Sequence, residues 1–216
     1  MMTMPSASED PTLVATRRSL HALAARVIAP LRVQATGNEI ALTVRPGGFG
    51  TPELPEGGWV GVDGTDLVRV DADGARETAR ITSLLEAADF VGLDDASSDL
   101  TDERLEVHAG AVAILAEVWE TGDVALRALD PSATPILWPE HFDIAIELDQ
   151  ATYGVSPGDD DHPEPYAYIS LWSPPTDLVT GPDHFWNAVG FTGAERPWTN
   201  DASAMTDFFR AGRDGR

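Results

Sequence analysis

Phe142-Asp143-Ile144-Ala145-Ile146-Glu147-Leu148-Asp149 sets an apolar side chain at every second position. Side chains along a strand alternate between faces, so this segment predicts a β-strand with one apolar and one polar face. Downstream, Tyr166-Ala167-Tyr168-Ile169-Ser170-Leu171-Trp172 predicts another strand, ended by Pro174-Pro175. Tyr153 to Val155 continues the first strand or pairs with it. The stretch 156–165 is rich in Asp, Pro and Gly and reads as a loop. Strands of this kind belong in an antiparallel sheet with one face packed on a core.

The pattern differs toward the N-terminus. Asp10-Pro11 is a helix-start signal, and Leu13, Leu20, Leu23, Ala24, Val27, Ile28 and Leu31 follow at helical spacing. Pro30 marks the expected end of that helix, and its outer face is expected to carry Arg. Ile40, Leu42 and Val44 alternate as in a strand, and 47–55 reads as a Gly/Pro loop. Short strands at 59–62, 67–70 and 75–81 form a meander, with the hairpin turn Asp71-Ala72-Asp73-Gly74 between the last two. Thr82 is the expected cap of a helix ending at Gly92. An acidic linker follows over 94–102. Val107, Ala111, Ile114, Leu115, Val118 and Trp119 form the stripe of the next helix, with a further helical stretch over 124–129. A final short helix covers 202–210. The expected fold is α+β: an antiparallel sheet, made of the meander and the C-terminal strands, packed with three to four helices. Residues 1–8 are expected as a tail and 9–216 as a single domain, with the start open among Met1, Met2 and Met4.

The 216 residues carry 36 Asp and Glu against 14 basic residues, a net charge of −22. All the basic residues are Arg, as expected of a high-GC bacterial genome, and a halophilic source, where excess surface carboxylate keeps a protein soluble in salt, is a second explanation of the balance. A nucleic-acid binder needs a basic stripe to displace counterions, and none is present. Docking on anionic lipid is disfavoured for the same reason. Without Cys there are no disulfides and no thiolate sites. The N-terminal stretch is polar and acidic and does not read as a secretory signal, so the expected location is cytoplasmic.

The densest motif spans 138–172. It reads Trp138-Pro139-Glu140-His141-Phe142-Asp143, then Tyr153-Gly154-Val155-Ser156-Pro157-Gly158-Asp159, then His162-Pro163-Glu164-Pro165-Tyr166. These segments resemble a family of uncharacterised bacterial proteins from high-GC genomes. Those proteins carry Trp-Pro-x-His-Phe-Asp and Tyr-Gly-x-Ser-Pro-Gly-Asp…His-Pro-Glu-Pro-Tyr. Gly47-Gly48-Phe49-Gly50-Thr51-Pro52 and Phe208-Phe209-Arg210-Ala211-Gly212 are similar too. The resemblance implies one folded unit and no particular activity.

Within the motif, alternation puts His141 and Asp143 on one face of the strand, opposite Phe142 and Ile144. If the loop 156–165 folds over that face, Asp159, His162 and Glu164 join them. Two imidazoles and three carboxylates are ligand types for a divalent metal that activates water, although the spacing matches no metal motif. The competing reading is a wet strand face and a solvated run at Asp159-Asp160-Asp161. Trp138, Tyr153, Tyr166, Trp172 and Trp186 are the candidates for a pocket or interface, because such rings have an apolar body and a polar tip. Between Arg127 and Arg196 there is no Lys or Arg. The glycines at 47–50 lack a phosphate-cradle ending, Asp71-x-Asp73-Gly74 lacks the acidic twelfth position of a calcium loop, and Ser156 lacks a nucleophile elbow. The first functional expectation is a non-catalytic soluble domain that binds a small molecule or a protein through an aromatic, acidic C-terminal half. A homo-oligomer is compatible with it. The alternative is a divalent-metal-dependent, hydrolase-like enzyme using the His/carboxylate cluster.

Overall fold

The computed structural model describes residues 10–94, 100–160 and 162–215. The fold is α+β, with two antiparallel five-stranded sheets. The described chain divides into two compact units, and it passes between them at 117/118, 136/137 and 142/143. The tail expected at 1–8, and 95–99 of the acidic linker, lie outside the described residues.

The first unit opens with α1 (Pro11–Leu23), capped by Asp10, whose carboxylate accepts from the Thr12 N–H at 2.9 Å. The helix does not stop at Pro30 as expected. It widens into a π-turn over Ala24–Ile28 and continues as α2 (Ala29–Thr36), which ends at Gly37. Proline has no N–H and its ring collides with the carbonyl four residues back. The i→i+5 pairing of the π-turn opens the helix at that point, so the chain passes Pro30 without breaking. The stripe that runs through the defect is buried throughout, from Leu13 to Leu31. Arg17 is buried as well, so the outer face is not where every Arg of this helix lies.

The first sheet runs in the order β1 (Thr43–Arg45), β2 (Gly48–Gly50), β3 (Trp59–Asp63), β4 (Asp66–Val70) and β5 (Arg76–Arg80). Residues 48–50, expected inside a loop, thus form a strand that pairs with both β1 and β3. Asp71 makes the hairpin turn by accepting from the N–H groups of Asp73 and Ala75. The cap of α3 (Leu84–Val91) is Ser83, not Thr82. Ser83 accepts from the Glu86 N–H, which is the capping-box spacing that Thr82 lacks, and Gly92 closes the helix in the left-handed region. Phe49 and Phe142 meet edge to face at 5.2 Å, and His21 stacks on Phe142 at 5.2 Å. The His21 Nε2 lies 3.0 Å from the Pro139 carbonyl and 3.1 Å from that of Glu140.

The expected stretches at 107–119 and 124–129 are one helix, α4 (Ala109–Leu129), with Gly122 inside it. A methyl group at Gly122 would lie 2.8 Å from Ile144 and 3.0 Å from Val155, so that glycine lets helix and sheet approach. The second sheet has the order β10 (Gly193–Pro197), β9 (Tyr166–Leu171), β8 (Ala151–Ser156), β7 (Asp143–Leu148) and β6 (Ile136–Trp138). Its register places Ile144 beside Val155 and Ala167, and Ile146 beside Tyr153, Ile169 and Ala194. Within the second unit this apolar face packs on α5 (Ala202–Asp214). Phe209 meets Tyr153 edge to face at 6.0 Å, and Gly212 admits Ile169. Thr206 and Arg210 tie α5 to the carbonyls of Ala125 and Ala128.

Burial holds the His21 imidazole below its ordinary value of 6.5, against the raising effect of its two carbonyl acceptors. A histidine kept neutral by the fold contributes stability that is complete above the unfolded value and lost as pH falls through the lower folded value. His21→Phe keeps a ring on Phe142 and removes this titration. Its melting temperature is expected to fall less steeply than that of the parent when the protein is acidified below pH about 6.5. Equal slopes in a differential scanning experiment would contradict the assignment.

Candidate functional site

The polar face of the second sheet gathers most of the motif. By register it carries Asp143 on β7, Gly154 and Ser156 on β8, and Tyr166 and Tyr168 on β9. Tyr168 lies across Gly154: a methyl there would sit 2.5 Å from its ring. Crossing that bare position, the phenol of Tyr168 donates to the Asp143 carboxylate. Asp143 is 5% exposed, so it does not lie on a wet face as alternation alone implied. Phe191 meets Tyr168 edge to face at 6.2 Å.

The loop after β8 is built on the same side. Ser156 accepts from the Gly158 N–H at 3.1 Å. Asp159 accepts from the His162 N–H at 2.7 Å and from the Tyr166 phenol at 3.2 Å. The His162 ring stacks on Tyr166 with centroids 4.2 Å apart. Loop and strand are therefore joined by a ring stack and a shared carboxylate.

Both phenols are held as acids. Burial, then the Asp159 charge, pushes Tyr166 up to about 12. Burial, then the Asp143 charge, pushes Tyr168 well above the ordinary value. At neutral pH they are neutral donors, and neither is an activated nucleophile or base.

The five candidate metal ligands are placed apart in role. His141 is exposed in the turn 139–142, where Phe142 takes a positive φ of 59° and its N–H bonds back to Trp138. That turn breaks the alternation which put His141 and Asp143 on one strand face, and β7 begins only at Asp143. Asp143 is held by Tyr168, Asp159 by Tyr166 and the His162 backbone, and His162 by its stack. Glu164 lies half-buried in the loop. Among the described residues no three His, Asp or Glu side chains come together to hold a metal ion; Asp161 is outside them. Of the five aromatic candidates, Tyr153 and Trp186 are core residues, Tyr166 is in the cluster, and Trp138 is half-buried. Trp172 is 52% exposed, with its indole N–H on Thr152.

Sequence reading missed a groove in the second unit. It has a volume of about 680 Å3 and is lined by Phe185, Pro197, Phe208 and Ala211, with the carboxylates of Glu195 and Asp207. Phe185 is 39% exposed yet fixed by Trp186 at 5.0 Å and Phe208 at 5.4 Å. Arg196 also lines it, its guanidinium 5.6 Å from the centre of the Phe208 ring and bonded to the Ala204 carbonyl. The signal was present as exposed apolar residues in one loop: Trp172, Val179, Phe185 and Val189. Nothing in the spacing of that loop placed it against α5.

No family model, curated protein or solved structure matches this chain. No helix among the described residues is long and apolar enough to cross a membrane.

Tyr166 and Tyr168 each bind a proton more tightly in the fold than in the unfolded chain. Their contribution to stability is complete below the ordinary value of 10.0 and lost as pH rises, for Tyr166 through about 12. Ultraviolet titration of the three tyrosines is expected to show late ionisation that disappears on unfolding. Tyr168→Phe leaves Asp143 buried without its phenol and should cost about 1–3 kcal/mol in urea unfolding. An unchanged midpoint would show that this bond is dispensable.

Proposed function

We propose that this protein is a non-catalytic binding domain whose second unit docks a basic, amphipathic polypeptide segment in the groove beside α5. The observation that carries this reading is Phe185, a large ring held half-exposed between Trp186 and Phe208 in a groove that also presents Pro197 and Ala211. A rigid, exposed aromatic anchor costs little entropy on binding, and such anchors dominate interfaces. Charge supports the class of partner. Between Arg127 and Arg196 every fixed charge is a carboxylate, and the groove lining carries two carboxylates, Glu195 and Asp207, against one guanidinium, Arg196, which is engaged by the Ala204 carbonyl. A second copy carrying the same −22 would be repelled, whereas a basic segment is drawn in.

The phenol cluster supports the same side of the choice. Its carboxylates are engaged by phenols and backbone, and its tyrosines stay protonated, which suits a rigid frame for the loop 156–165 better than acid–base work. No observation favours the metal-dependent hydrolase.

A fluorescently labelled amphipathic peptide of Leu and Lys should bind in an anisotropy titration, more weakly in high salt. The matching Leu/Glu peptide should not bind. Phe185→Ala should weaken binding about tenfold, while Tyr168→Phe should leave it unchanged. Equal affinity for polylysine, or no effect of Phe185→Ala in a folded variant, would reduce the interaction to bulk charge and refute the groove.

A further inference from the structure

The helix defect in the first unit has a chemical consequence. In a helix, a carbonyl is satisfied by the N–H four residues on, or five residues on in a π-turn. For Ala25 those residues are Ala29 and Pro30. The Ala29 N–H is given to the Ala24 carbonyl, and Pro30 has no N–H. The Ala25 carbonyl is thus an acceptor that its own helix leaves without a donor.

Ala25 and Pro30 both line a cleft of about 350 Å3, together with Ala29, Val33, Ile40 and Pro139. These are apolar walls, and the volume falls in the range of small-molecule sites, about 300–1,000 Å3. Glu140 is the charged residue of the lining. Its side chain is exposed, while its backbone carbonyl and that of Pro139 are fixed by His21. The cleft therefore offers an apolar body site, a carboxylate and a carbonyl acceptor. Arg32, the nearby cation of α2, is engaged by the Ala41 carbonyl and by Glu39 at 3.6 Å.

We propose that this cleft binds a small organic amine. The hydrocarbon part lies against Ala29, Pro30, Val33 and Ile40, and the ammonium donates to the Glu140 carboxylate and the Ala25 carbonyl. An ammonium has donors and no acceptor, and it matches two acceptors where a carboxylate or a simple hydrocarbon would not. An apolar ligand without the charge would leave the carbonyl desolvated and unpaired, which disfavours it. The site belongs to the first unit and does not depend on the groove beside α5.

The test uses three probes of one shape: cyclohexylamine, cyclohexanol and cyclohexanecarboxylate. Each is titrated into the full chain while the alanine and valine methyl signals are followed by NMR. Cyclohexylamine should saturate shifts of the Ala25, Ala29 and Val33 methyls, cyclohexanol should bind less tightly, and cyclohexanecarboxylate should not bind. Glu140→Gln, a change at an exposed side chain, should weaken the amine about tenfold, in line with loss of one charge-assisted bond. Val33→Trp should fill the cleft and abolish the shifts, its fold checked by the remaining methyl spectrum. Phe185→Ala should leave amine binding untouched, which separates this site from the proposed peptide groove. Amine shifts scattered over the acidic surface, or an affinity unaltered by Glu140→Gln, would overturn the assignment. So would cyclohexanol binding as tightly as cyclohexylamine.

Discussion

A phenol that crosses one strand to reach a carboxylate on the next locks β7, β8 and β9 together. Tyr168 needs Gly154 beneath it, because any methyl there would strike the ring. It needs Asp143 beyond, because a buried carboxylate without a donor is costly. A slip of one residue in either strand pairing would exchange the two faces of the sheet. It would bring Tyr168 over Val155 or Tyr153 and expose the apolar row that packs on α5. Register in this sheet is therefore fixed twice, by the apolar face and by one hydrogen bond on the other. The loop 156–165 follows from the same constraint, since Ser156 and Tyr166 stand opposite each other at its two ends.

Charge acts on a different scale. At −22 the chain repels itself, and its arginines are used locally. Arg69 pairs with Glu77, Arg76 with Asp63 and Arg80 with Asp66 along β3, β4 and β5, all of them exposed pairs of small individual worth. These pairs also mark an edge strand with both signs of charge, which discourages pairing with another chain. The part of the chain between Arg127 and Arg196 has no Lys or Arg of its own, and Arg213 of α5 pairs with its Asp149 at 2.9 Å. Asp143 and Asp159 accept instead from Tyr168, Tyr166 and the His162 N–H. Neutral donors hold Asp143 and Asp159 in place without cancelling their charge.

Sequence periodicity was most legible where a single rule acted. The stripe from Leu13 to Leu31 and the alternation from Ile144 to Leu148 both become core. Periodicity failed where two rules competed. Pro30 is a helix breaker by its missing N–H, yet the stripe continues past it, and the π-turn resolves the conflict. The pair His141 and Asp143 looked like one strand face, but Phe142 turns through positive φ and separates them. Asp143 looked wet because it is charged. Its burial depends on Tyr168, a residue 25 positions away, and no local pattern encodes that contact. The groove beside α5 was hidden for the same reason: Phe185 and Phe208 are distant in sequence and meet only in the fold.

The two units also show two uses of an imperfect interior. In the second unit the imperfect position, Gly154, is filled by the Tyr168 ring, whose phenol donates to Asp143, so the cluster serves as a frame. In the first unit the imperfect position is Pro30, and the turn that accommodates it leaves the Ala25 carbonyl without its helical donor beside an open cleft. A defect that is filled adds rigidity. A defect that stays open, with an acceptor at its wall and a carboxylate at Glu140, has the ingredients of recognition. The asymmetry between these two defects, more than the composition of either unit, makes the cleft beside the π-turn a place where a ligand supplies what the chain cannot.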